Sequence, residues 1–321
     1  MPTVRLARHA MNTRFEVLLH GASEPALRAA GEEALDEIGR IEAQLSIFRP
    51  DSEMARVNRH AAEGPVRVSP PVFQLLERAQ SLSRQTGGAF DPTVGPLVRA
   101  WGFLGGSGAW PDPARLAEAR ARVGMEHVEL DAARFSVRFA RPGMMLDLGA
   151  IGKGYALDVA VECLREAGVT CALLHGGTSS VQGLGVPPDG QPWKVALGPP
   201  AAAGDTATAD DTAGEVLAEF VLTDASLGVS AVAGKAFRQG DREWGHVLDP
   251  RTGEPVQGAL MAAVVLPEAT ATDALSTALL VLGAEGLEKL GASHPNLEGL
   301  VVLPELGPTG GRTVWRRLPP P

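Results

Sequence analysis

Apolar and polar residues alternate over residues 3–20, which predicts a strand interrupted at Met11-Asn12-Thr13 and resuming at 15–19. The period then lengthens. Leu27, Ala30, Ala34, Leu35, Ile38, Ile41 and Leu45 recur every three or four residues, with Glu and Arg between them. That spacing predicts a long helix burying one face. A loop over 46–53 leads into a short helix through Asn58, with Asp51 or Ser52 as its cap. Another helix is predicted over 70–84, opened by prolines and closed at Gly87-Gly88. A short helix at 112–123 precedes a hairpin of 127–130 and 135–139.

The middle of the chain reads differently. Residues 144–148 form a short apolar run, taken as a strand. It turns through Gly149, Gly152 and Gly154 into a helix over 155–167. Strands are predicted at 170–174 and toward Gly185, separated by His175-Gly176-Gly177-Thr178-Ser179-Ser180. Residues 199–214, rich in Ala, Gly, Asp and Thr, read as a mobile surface insertion. Strands at 215–223 and 225–232 are expected to pair. Residues 244–255 read as a strand and a tight turn, and 260–266 as a buried strand. A helix over 270–283 has hydroxyl cap candidates and a glycine stop, and a second helix starts near Ala284. The last strands fall at 298–303 and 312–315.

Composition narrows the classes. A chain of 321 residues with 45% hydrophobic content holds one large domain or two ordinary ones. The net charge of −9 argues against a nucleic-acid partner. Cys163 and Cys171 read as small buried apolar residues, and Cys and His do not assemble a metal cluster. No run of about 18 apolar residues occurs, so no transmembrane span is expected. As the sequence stands it lacks a signal core and a lipid-attachment cysteine at the N-terminus, which predicts a cytoplasmic protein. A trimmed export signal would make it periplasmic or membrane-anchored.

The strongest chemical signal is Leu146-Asp147-Leu148-Gly149-Ala150-Ile151-Gly152-Lys153-Gly154. A glycine-rich turn into a helix start makes an anion cradle, because backbone N–H groups and the helix dipole favour a phosphate. Lys153 adds positive charge. Asp147 can accept a hydrogen bond from a ligand or face a metal. Neither common phosphate loop is matched: Gly154 follows Lys153 where Ser or Thr is needed, and the glycines do not fall as Gly-x-Gly-x-x-Gly. An ordinary strand-to-helix turn stays open.

Asp273 and Thr277 share a helix face and form a plausible hard-cation pair. Alternatively, Asp273 answers the helix dipole and Thr277 bonds its own backbone. His246, beside Asp249-Pro250, can act as a general base or as a surface or capping histidine. The loop Ala89-Phe90-Asp91-Pro92-Thr93 carries one acid and one hydroxyl, and reads as a rigid turn on physics alone.

Taken together, five segments resemble the ApbE family of Mg²⁺-dependent FAD:protein FMN transferases. They are Met11-Asn12-Thr13; the stretch from Phe48-Arg49-Pro50-Asp51-Ser52 through Asn58; Ala89-Phe90-Asp91-Pro92-Thr93; the glycine turn; and His246-Val247-Leu248-Asp249-Pro250 with Asp273 and Thr277. The resemblance implies one α+β domain over residues 1–321, with mixed or antiparallel sheets flanked by helices. An FAD cleft would lie between its halves. Mg²⁺ would be held by Asp273 and Thr277, with the Ala150 carbonyl and Ser276 nearby. Met11, Phe48, Ala89, Phe90, Asp91, Asp147, Lys153 and Leu248 would line the FAD site. His246 would activate a Thr or Ser hydroxyl of an acceptor redox protein carrying a flavinylation motif. FMN would move to that hydroxyl and AMP would leave.

The chain departs from the family pattern at three places. Val229-Ser230-Ala231 stands for the usual Thr-Ser-Gly, Gly176-Gly177-Thr178 for Gly-Gly-Asn, and Phe48 for a frequent Tyr. Two rival readings follow: an FAD pyrophosphatase giving FMN and AMP, and a non-catalytic FAD-binding accessory protein.

Overall fold

The computed structural model describes residues 1–200, 216–232, 234, 236–239, 242–304 and 311–317. The segment expected to be a surface insertion, 199–214, falls almost wholly outside them.

Strands β1 (Thr3–Ala10) and β2 (Thr13–His20) form a hairpin, not one interrupted strand. Met11 and Asn12 both adopt positive φ, 50° and 58°. Two such residues in succession give the tight turn whose twist matches paired antiparallel strands. Helix α1 (Glu24–Leu45) then buries the predicted apolar stripe, and Ser52 caps α2 (Glu53–His60) by accepting from Ala55 N. The short β3 (Val66–Arg67) precedes α3 (Pro70–Thr86), which ends on Gly87 in the left-handed region. Helices α4 (Gly95–Ala100) and α5 (Pro113–Arg120) follow, then β4 (Val128–Asp131) and β5 (Ser136–Phe139). These two strands and β3 make a small sheet.

Residues 144–148 do not form a strand. Their backbone is held by other means. Leu146 N donates to Asn58 Oδ1 at 2.7 Å, and Asn58 Nδ2 donates to the Leu146 carbonyl at 2.8 Å. Asp147 N donates to the Pro92 carbonyl at 2.7 Å. One side-chain amide thus stands in for a neighbouring strand.

Helix α6 (Gly152–Glu166) leads to β6 (Cys171–Gly176) and β7 (Ser180–Leu184). Strands β8 (Trp193–Leu197) and β9 (Ala218–Leu222) pair with each other. The expected pairing of 215–223 with 225–232 does not occur: β10 (Ala225–Ala231) lies between β7 and β13 (Met261–Leu266). Before β13, β11 (Ala236–Gln239) and β12 (Arg242–Gly245) form a hairpin. Helices α7 (Ala269–Leu282) and α8 (Glu285–Ser293) and strands β14 (Glu298–Pro304) and β15 (Gly311–Arg316) complete the order.

The main sheet has eight strands in the order β1-β2-β6-β7-β10-β13-β14-β15. Every described ladder is antiparallel. Strand β13 is apolar on both faces, and its alternation divides two cores. Ala262 and Val264 join the large core beneath α1, α6 and α7, while Met261 and Ala263 join a second core with Trp193 and Phe220 of the β8–β9 ribbon. Both cysteines are free thiols. Among the described residues no helix is long and apolar enough to cross a membrane.

Helix α7 is pinned between α6 and β10. Its N-cap, Glu268, makes no side-chain cap bond, and none of the expected hydroxyls serves as one. Asp158 of α6 does the work instead, accepting from Ala269 N at 2.9 Å and Thr270 N at 2.7 Å. A Cβ at Gly154 would lie 2.0 Å from the Ala269 carbonyl oxygen, and one at Gly228 would lie 2.4 Å from that of Thr272. Both glycines permit backbone-to-backbone approach. Gly154→Ala is therefore expected to destabilise by at least about 1–3 kcal/mol through overpacking, read as a lowered urea midpoint. An unchanged midpoint would show that α7 can shift freely.

Candidate active site

A cleft of about 910 Å³ opens where the β1–β2 turn, the end of α1, the glycine turn and the β6–β7 loop meet. Met11, Phe48, Asp147 and Lys153 all line it, so four of the predicted ligand residues come together. Each is held locally. Met11 N donates to Glu42 Oε1 at 2.6 Å, which ties the strained turn to α1. Phe48 is 67% exposed, an apolar ring turned to the open cleft rather than to the core. Asp147 accepts from Gly149 N at 2.9 Å, and burial pushes its carboxyl above the usual range.

The first turn of α6 faces this cleft through Gly152 and Lys153. Its N-cap residue, Ile151, makes no side-chain cap bond. Lys153 Nζ donates to Ser179 Oγ, another lining residue.

Asp273 sits behind that turn, 6% exposed. Gly154 N donates to its Oδ2 at 2.6 Å and Ser180 Oγ to its Oδ1 at 2.7 Å. Burial pushes its carboxyl up to about 6, while Lys153, Ser180 and Gly154 N act in the opposite direction. One turn further along α7, the Ser276 and Thr277 hydroxyls bond back to the Asp273 carbonyl at 3.0 and 3.2 Å. Ser230 Oγ lies 2.9 Å from Ser276 Oγ and 3.0 Å from Thr277 Oγ1. The Ala150 carbonyl belongs to the half-buried turn before α6. All these donors are oxygens, and the one carboxylate among them is buried. That set fits a hard divalent cation.

The remaining predicted residues lie outside the cleft lining. Ala89, Phe90 and Asp91 are buried in the loop after α3. Asp91 accepts from Thr93 N at 2.8 Å and Met125 N at 3.0 Å, and borders a separate cavity of about 590 Å³. This loop reaches the cleft through its backbone, at the bond from Asp147 N to Pro92. Leu248 is buried, bridges Pro255, and packs with Leu97, Trp101 and Phe103. His246 is half-buried and meets the Phe103 ring edge-on, 6.4 Å between centroids. Phe103 lies two residues before Gly105, which lines the cleft.

The model of the ApbE family matches residues 11–301. The chain belongs to the ApbE family. It is 31% identical over 270 residues to an FAD:protein FMN transferase of Vibrio cholerae, covering 82% of this chain and 75% of the relative. It is 32% identical over 292 residues to the Treponema pallidum FAD:protein FMN transferase, covering 87% and 78%. The ApbE protein of Thermotoga maritima superposes with a TM-score of 0.84 at 27% identity, covering 98% of this chain and 97% of that one. The flavinyl transferase ApbE of Pseudomonas stutzeri gives 0.84 at 27% identity, with 98% and 94% covered.

Within this ApbE-family site, sequence reasoning missed Glu42, Ser179, Ser180 and Ser230. Ser179 and Ser180 could have been found as hydroxyls directly after the Gly176-Gly177 turn. Ser230 lay inside a triplet singled out only for its departures. Glu42 looked like one more polar position on an amphipathic helix.

The raised Asp273 carboxyl has a consequence for stability. It binds its proton more tightly folded than unfolded. In cation-free protein this favours folding below about pH 4, and the advantage is lost as pH rises through about 6. At about 1.36 kcal/mol for each tenfold change in proton affinity, the swing approaches about 3 kcal/mol. Urea unfolding in chelator should show wild type losing stability relative to Asp273→Asn across this interval. Parallel pH curves for the two proteins would contradict the assignment.

Proposed function

We propose that this chain is an FAD:protein FMN transferase that attaches FMN to a Thr or Ser hydroxyl of an acceptor redox protein. The observation that carries the reading is the convergence of Met11, Phe48, Asp147 and Lys153 on one cleft, with Asp273 behind Lys153, in a chain of the ApbE family.

In this reading the flavin ring lies against Phe48 and Met11, and Asp147 accepts a hydrogen bond from the dinucleotide. The pyrophosphate sits at the first turn of α6, where the helix dipole and Lys153 oppose its charge. Ala89, Phe90, Asp91 and Leu248 shape the site from behind, as buried supports of the Asp147 segment and the His246 turn. Mg²⁺, held by Asp273 and Thr277 with Ser276 and the Ala150 carbonyl, would neutralise phosphate charge when bound.

His246 takes the proton from the acceptor hydroxyl. The hydroxyl oxygen forms a bond to the FMN phosphorus, the pyrophosphate P–O bond breaks, and AMP leaves with the electron pair. Phe103 packs against the imidazole and lies two residues before Gly105 of the cleft lining. The products are AMP and a phosphodiester-linked FMN on the acceptor.

Incubation with FAD and an acceptor peptide, with Mg²⁺ or with EDTA, tests this directly. Expected are Mg²⁺-dependent AMP release and flavin on the peptide by mass spectrometry. His246→Ala should slow labelling by about 10²–10⁴ while FAD still binds. AMP with free FMN and no labelled peptide would replace the transferase by a pyrophosphatase. FAD binding without AMP would leave a binding protein.

A further inference from the structure

The hydroxyl cluster between β10 and α7 has a proton count that constrains what it can bind. Four short contacts join Ser230, Ser276, Thr277 and the Asp273 carbonyl. Three hydroxyls supply only three protons, and the carbonyl supplies none. Every proton therefore has an acceptor inside the cluster, and one contact is left with two oxygens facing each other. The unused valence is lone pair, not proton. Such a cluster presents oxygen lone pairs outward and suits a cation rather than an anion.

Ser230 is the member that makes this possible. Gly228 lets β10 run against the Thr272 carbonyl. Two residues further along the same strand face, Ser230 meets the next turn of α7, nearly equidistant from both hydroxyls. Without it, the protons of Ser276 and Thr277 share one acceptor, the Asp273 carbonyl, which as an α7 carbonyl already takes the Thr277 N–H and has one lone pair left for the two. A proton then turns toward the space a cation would fill.

We infer that Ser230 is a positioning residue for divalent-cation binding, directing the Ser276 and Thr277 protons away from the ion. The inference rests on the cation reading of the Asp273 site. It concerns a residue outside the pair that would hold the ion.

Binding of Mn²⁺ alone to the flavin-free full chain tests it, read by electron paramagnetic resonance of free Mn²⁺. Wild type, Ser230→Ala, Ser230→Thr, Ser230→Val and Asp273→Asn would be compared. Thr and Val match in shape and differ in the hydroxyl, so the pair remains informative if the alanine variant folds poorly. Thr should stay close to wild type. Ala and Val should bind about 10- to 100-fold more weakly, as for loss of a group that orients a metal ligand. Their melting temperature in chelator should stay near that of Ser230→Thr, while the rise on adding Mn²⁺ shrinks. Val binding as tightly as Thr would overturn the inference while leaving the Asp273 site standing, provided Asp273→Asn abolishes binding. Wild type failing to bind Mn²⁺ would overturn both.

Discussion

The first turns of α7 lie in backbone contact with two other elements, and the site depends on that contact. Gly154 admits the Ala269 carbonyl from one side, and Gly228 admits the Thr272 carbonyl from the other. Side chains at either position would push the elements apart. Because they are absent, Gly154 N can reach Asp273 Oδ2, and β10 can bring Ser230 to Ser276 and Thr277. Asp158 then supplies from α6 the cap that α7 lacks. Helix packing and ligand geometry are set by the same few atoms.

This arrangement explains why a carboxylate is tolerated in the core. Asp273 has two donors and the nearby Lys153 charge, yet burial still raises its carboxyl. The protein alone undercompensates it. Lys153 is also engaged at the cleft, through Ser179. The site therefore holds paired charges on the two sides of the α6 turn, one facing the cleft and one behind it. Ligand charge at either side changes the electrostatic cost at the other.

Much of this was legible in the sequence because it was periodic or punctuated. The α1 stripe, the Ser52 cap and the Gly87 stop followed from local rules. The glycine turn and the Asp273–Thr277 spacing pointed to the site. What was not legible depended on long-range partners. Residues 144–148 had strand composition, yet Leu146 bonds Asn58, 88 residues earlier, and Asp147 N bonds the Pro92 carbonyl. Strand β10 looked like the partner of its sequence neighbour, but apolar alternation does not say which strand lies alongside. The Met11-Asn12 turn lacked glycine, and only Asn12 hinted at its positive φ values. Ser230 became visible only when strand and helix were brought together.

The amide clasp between Asn58 and Leu146 carries a further implication, for chemical ageing. The clasp needs a donor and an acceptor on one short side chain, facing a backbone carbonyl and a backbone N–H. Hydrolysis of that amide to a carboxylate would remove the donor and set a charged oxygen against the Leu146 carbonyl, two acceptors with no proton between them. The segment so displaced carries Asp147 into the cleft. A single deamidation remote from any reacting atom would thus reach the site through the backbone, with almost no change in mass or shape to announce it.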